Sequence, residues 1–171
     1  MAMAVLRQLR VGISLRRGNW PSRFQSVCKG ITRKKMSKIS PQDALVYIMV
    51  TTSAADTKMT DAELASIGNI VTHLPVFRGF DIGRLAELAA RCYALLEHED
   101  GLDRILDIAH EALPEPLYDT AYALAVEVAA ADLHVEQEEL VFLLMLRDRW
   151  SLDELTVAAI ERSARVRFRK L

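Results

Sequence analysis

The sequence predicts an all-α fold, a compact bundle of about seven helices. Apolar residues recur at spacings of three and four over most of residues 40–165, and no segment shows sustained alternation with a period of two. Helix-favouring Leu, Ala, Glu and Arg dominate, whereas the 171 residues include only seven glycines and five prolines. A motif that begins at Ala54 returns at Ala130, 76 residues later, which predicts two helical hairpins related by a pseudo-twofold axis.

The first two helices have clear start signals. Ser40-Pro41 opens the first helix, because serine suits the N-cap and proline the first turn, and Asp43 is expected to reach back to the cap. The second helix begins at the capping box Thr60–Glu63 and is broken by Pro75. The apolar face predicted for the first helix consists of Leu45, Ile48, Met49 and Thr52.

The next three helices are bounded by turn residues. Asp81 is expected to cap the third helix, and Asp100-Gly101 separates it from the fourth. Pro114-Glu115-Pro116 ends the fourth, and the fifth runs from about residue 117 to 131. The fifth is rich in alanine on every side. Since small side chains let neighbouring helices approach closely, we expect the fifth helix at the centre of the bundle.

The last two helices complete the predicted bundle. The sixth spans about residues 137–149 and corresponds to the second helix in the repeat, as the fifth corresponds to the first. Its predicted core face consists of Leu140, Leu143, Leu144 and Met145. The segment Ser151–Glu154 caps the seventh helix. The core face predicted for that helix consists of Leu155, Ala158 and Ala159.

Charge divides the chain into two regions. Residues 1–39 contain ten Lys or Arg and no acid, whereas residues 40–160 contain seven basic and 22 acidic residues. We therefore expect a basic arm, 1–39, that is disordered on its own, followed by one helical domain, 40–171. Three interpretations of the arm stay open: an over-extended start upstream of an alternative start at Met36, an organelle-targeting peptide, or a tether to anionic lipid or nucleic acid.

The composition disfavours several classes of protein. Cys28 and Cys92 are too few for a disulfide framework and form no metal-binding pair, which favours a reducing, cytoplasmic compartment. The longest apolar stretch, 121–131, is interrupted by Glu127 and is too short to span a membrane. The acidic body is expected to repel nucleic acid and to attract cations or a basic protein partner. No nucleophile elbow, phosphate-binding loop or zinc-protease motif occurs, so we predict no enzymatic activity.

The repeated motif supplies candidate metal ligands. In each copy an aspartate, Asp56 or Asp132, follows two alanines and precedes a hydrophobic residue by three positions, a glutamate by seven and a leucine by eight. Hard divalent cations bind about six or more oxygens, which one such loop cannot easily supply but two loops that meet could. The predicted ligands are Asp56, Asp61, Glu63, Asp132, Glu136 and Glu139. Alternatively, the aspartates accept amides of their own turns and the glutamates only stabilise helix starts.

A second acidic feature lies before and along the fourth helix. Glu97–Asp100 is followed by Asp103, Asp107 and Glu111 at steps of four. Like charges at this spacing repel one another. The sequence therefore predicts either a solvated face or a docking surface for a basic partner or for cations.

The Ala-Asp-x-x-hydrophobe-x-x-x-Glu motif, present twice in an acidic helical domain of this size, resembles the TerB family over about residues 41–165. The resemblance implies about seven helices without known catalytic activity, a bacterial role in tellurite resistance and related stress responses, and an association with metal ions or with partners at the inner membrane face. The chain departs from the family where glycine usually follows the aspartate, since Thr57 and Leu133 stand there. A positive φ at these residues would cost on the order of 1 kcal/mol or more, which weakens any metal-loop geometry carried over from the family.

Overall fold

The computed structural model describes residues 39–54, 61–131 and 137–169, with only the backbone at 61, 62, 137 and 138. These residues form seven α-helices and no strand, which confirms the predicted all-α bundle. The helices are α1 (Pro41–Ser53), α2 (Asp61–His73), α3 (Leu85–Leu96), α4 (Gly101–Ala112), α5 (Tyr118–Ala131), α6 (Gln137–Arg149) and α7 (Glu154–Arg167). Of the predicted arm, 1–39, only Ile39 is described; residues 1–38 lie outside the described residues.

The most enclosed helix is α1. Every residue from Asp43 to Ser53 is buried, and α1 packs against α2, α3, α4, α5 and α6. The prediction of a single apolar face was therefore too narrow. After Asp43 the helix carries no charge, so nothing in its sequence forces one side toward water. The alanine-rich α5 is also largely buried, as predicted, and lies between α1 and α7.

The N-terminus of α1 keeps its predicted cap but not its predicted capping box. The Ser40 hydroxyl accepts the Asp43 backbone N–H at 3.1 Å. The Asp43 carboxylate does not reach back to Ser40; its Oδ2 instead pairs with the Arg84 guanidinium at 3.2 Å. Asp43 is buried, and a buried carboxylate is stabilised more by a cation than by one further amide. The Arg84–Asp43 pair therefore ties the start of α3 to the start of α1.

Short turns set where the later helices begin. Asp81 accepts the backbone N–H two residues on, at 2.9 Å, and so caps the 3-10 turn that leads into α3. Asp153 caps α7 by accepting the backbone N–H three residues on, at 2.8 Å. Between α3 and α4 the chain turns so tightly that a Cβ on Gly101 would lie 2.1 Å from the Leu95 carbonyl oxygen. This junction therefore requires glycine.

The core faces predicted for α6 and α7 were partly wrong. On α6, Leu143 is buried as predicted, but Leu140 and Leu144 are 50% and 52% exposed. The buried stripe of α6 consists of Glu139, Phe142, Leu143 and Leu146 and continues at Trp150. On α7, Leu155 is 81% exposed, and the buried residues are Val157 and Ala164. Both helices carry apolar residues on more than one side, so the pattern of apolar residues did not define which side of each helix faces the core.

The helix bounds follow the sequence repeat. α2 and α6 each contain 13 residues, and both ends of α6 lie 76 positions after the corresponding ends of α2. α1 and α5, the first helices of the two copies, pack directly against each other. The pseudo-twofold relation between the hairpins stays a prediction, since the two loops that carry the motif lie outside the described residues.

Candidate metal centre

The structure describes two of the six predicted metal ligands with their side chains. The other four are either outside the described residues, as are Asp56, Asp132 and Glu136, or described by backbone alone, as is Asp61 at the first position of α2. The described pair, Glu63 and Glu139, occupies the same place in the two copies of the motif. Each is the third residue of its helix, as the sequence predicted.

Glu63 is held at the junction between α1 and α2. The hydroxyl of Ser53, the last residue of α1, donates to Glu63 Oε1 at 2.9 Å. Ser53 is 3% exposed, and Glu63 is partly buried. The carboxylate thus points toward the polar end of the central helix rather than into open solvent.

Glu139 is more enclosed than its counterpart. It is 8% exposed and heads the buried stripe of α6, one and two turns before Leu143 and Leu146. Both Glu63 and Glu139 have interaction partners. A carboxylate that only favours the helix dipole can remain in water. Stabilising a helix start therefore does not by itself explain why both glutamates are partly or fully buried.

The C-terminal turn of α1 supplies the polar surroundings of this junction. The Thr52 hydroxyl donates to the Ile48 carbonyl at 3.0 Å, and the Thr51 hydroxyl lies 3.4 Å from the Cys92 sulfur. Among the described residues, these two hydroxyls have partners within α1 or on α3, and Ser53 alone of the three reaches a carboxylate. Ser53 was not among the predicted site residues, although three consecutive hydroxyl residues at the end of an apolar helix were a visible signal.

The described residues supply only part of a coordination sphere. They contain no group of three or more His, Cys, Asp or Glu side chains that could hold a metal ion. Two glutamates offer at most four oxygens, whereas calcium takes about six to eight and magnesium about six, some of them from water. The donor type nevertheless fits a hard cation, because every candidate is a carboxylate. The remaining ligands of such a site would come from Asp56, Asp61, Asp132 and Glu136.

The acidic face of α4 is exposed to solvent. Asp103, Asp107 and Glu111 are all exposed, in agreement with the predicted spacing along one side of the helix. Part of its charge is neutralised, since Asp107 pairs with Arg149 of α6. This face can therefore attract a basic partner.

Comparison with protein-family models, with curated proteins and with solved structures finds no match to this chain. The resemblance to the TerB family therefore stays a prediction. The helices described here are also too short to cross a bilayer: the longest contain 14 residues, where about 20 are needed.

Proposed function

We propose that this chain is a non-enzymatic, TerB-like binding module that takes up a divalent cation through the carboxylates of its repeated motif. One observation supports the proposal most. The two motif glutamates occupy equivalent helical positions, and both point inward, Glu63 onto Ser53 and Glu139 into the buried stripe of α6. Each glutamate also follows, in the sequence, the acidic residues of its copy of the motif, and a divalent cation would stabilise such a concentration of carboxylates.

The cellular role that we propose follows the family resemblance. The module would act in the cytoplasm of a bacterium, at the inner membrane face, in a tellurite-resistance-type stress response. Cation binding there would join the two copies of the motif and so present the acidic surface to a protein partner. The exposed carboxylates of α4, Asp103, Asp107 and Glu111, are the surface on which we expect a basic partner to dock.

Isothermal titration calorimetry tests the cation binding. The full chain is titrated with Ca²⁺, Mg²⁺, Mn²⁺ and Zn²⁺, and the titration is repeated with Asp56→Asn and Asp132→Asn. We expect saturable binding of at least one ion, weakened tenfold or more by either substitution. Asp103→Asn is the matched control, because it removes one exposed carboxylate of α4 and should leave the affinity unchanged.

Two results would count against the cation. If none of the four ions binds, only the proposed binding of a protein partner remains. Capture of a partner by the wild-type chain, but not by an Asp103→Asn, Asp107→Asn double variant, would then support that binding. Equal loss of affinity in Asp103→Asn and Asp56→Asn would mean that the affinity depends only on the overall negative charge and not on the carboxylates of the motif.

A further inference from the structure

An open groove with both apolar and polar walls lies at the C-terminus of α2, away from the motif. It has a volume of about 410 Å³ and is formed by the last turn of α2 and the two 3-10 turns before α3. Its apolar walls are Val71, Leu74, Phe77, Phe80 and Ile82. Ile82 is 50% exposed in this groove. A groove of this size suits a peptide segment better than a single ion.

The first turn of α1 lies beside this groove. The Gln42 side-chain amide donates to the carbonyls of Val76 and Arg78 at 3.0 and 3.2 Å, and Arg78 lines the groove. Ile39, the first described residue, packs against the core only three positions before Gln42. The start of α1 therefore contacts the rim of the groove, three positions after the first described residue.

The sequence immediately before Ile39 offers one suitable occupant. Between residues 32 and 38, Met36 is the only apolar side chain. Three extended residues span about 10 Å, which places residue 36 within reach of a groove that borders the start of α1. Methionine is unbranched and flexible, so it fills irregular apolar spaces well. We propose that Met36 docks into this groove and that the segment 32–38 thereby covers Ile82.

Apolar contact, rather than charge, holds the segment in this proposal. Lysines flank Met36 at positions 35 and 38, and they favour the carbonyl end of α2. Arg78 lines the same groove and opposes them. Because this attraction and this repulsion offset each other, we expect the affinity of the segment for the groove to change little between low and moderate salt. The inference is independent of the proposed function, because it uses neither the motif nor its carboxylates.

Disulfide trapping in the full chain tests the proposal. Cys28→Ser removes the arm's own thiol, and Cys92 can stay because it is fully buried. Into this background Met36→Cys is introduced with Ile82→Cys, or with Leu155→Cys as the matched control. Both partner positions are exposed, so neither substitution should prevent folding. Under oxidised glutathione, we expect the 36–82 pair to cross-link within one chain at least tenfold faster than the 36–155 pair.

Two outcomes would overturn the docking of Met36. Equal rates for the two pairs would mean that residue 36 has no preference for the groove. A 36–82 bond found only between two chains, seen as a dimer on a non-reducing gel, would mean that a second copy fills the groove. Hydrogen exchange gives a second readout in the otherwise native chain. Met36→Asp should speed exchange of amides 76–82 at least threefold relative to Ile31→Asp, and equal exchange in the two variants would refute the proposal.

Discussion

Removing the Ser53 hydroxyl tests whether Glu63 is held inward by the central helix. Ser53→Ala deletes the donor that lies 2.9 Å from Glu63 Oε1. A hydrogen bond to a charged group contributes about 1.5–3 kcal/mol. Glu63 is partly exposed and has interactions of its own, so we expect the lower part of that range, a loss of about 1.5–2 kcal/mol in the free energy of unfolding.

A double-mutant cycle separates this bond from other effects of the substitution. Ser53→Ala, Glu63→Gln and the double variant are unfolded in urea and followed by far-ultraviolet circular dichroism. We expect a coupling energy of about 1 kcal/mol. Thr72→Ala is the matched control, because the exposed Thr72 hydroxyl bonds only to the Gly68 carbonyl of its own helix, at 2.6 Å, and its removal should cost less than about 0.5 kcal/mol. A cycle without coupling would show that α1 does not orient the carboxylate.

Three further predictions concern the packing that positions the motif. Gly101→Ala forces a Cβ against the backbone and should lower the free energy of unfolding in urea by about 2–3 kcal/mol. Gly68→Ala is the control: its Cβ would have no atom closer than 3.7 Å, and it should stabilise the fold by about 0.5–1 kcal/mol. Equal effects of the two substitutions would contradict the tight α3–α4 turn. Burial raises the pKa of the Cys92 thiol from 9.0 to about 12, so its contribution to stability is full below pH 9 and is lost as the pH rises toward 12. The urea midpoint should therefore fall between pH 9 and 11, and less so in Cys92→Ala; identical pH profiles would refute this. Arg84→Met leaves the Asp43 carboxylate buried without its cation and should lower the stability measured by thermal unfolding by about 2 kcal/mol. Adding Asp43→Asn to the same chain should restore most of the lost stability. No restoration would mean that the guanidinium acts through packing alone.

The helix boundaries were predictable because they depend on local chemistry. Ser40 caps α1, and proline follows α2 and α4, where the geometry of one or two residues decides the outcome. The repeat also placed Glu63 and Glu139 correctly at third helical positions. Caps, breakers and repeats act over a few residues, so the sequence holds the whole of this information.

Which sides of α6 and α7 face the core was not predictable from the sequence. Leu140, Leu143 and Leu144 offer two alternative apolar sides, and tertiary packing buries only the one that also contains Glu139. Counting hydrophobic residues excludes a glutamate from the core face, so the inward position of Glu139 could not have been found that way. The Ser53–Glu63 bond was missed for a related reason, since its donor lies on a different helix from the motif's glutamate.

Native mass spectrometry of the ion-loaded chain tests most directly whether the two copies of the motif form one cation site. The measurement compares wild-type chain with Asp56→Asn and with Asp132→Asn, in the presence of the ion that binds most tightly. We predict one ion per chain, lost in either single variant, because each copy supplies only part of the coordination sphere. Two ions per chain, each lost in only one variant, or one ion that survives both substitutions, would contradict a shared site.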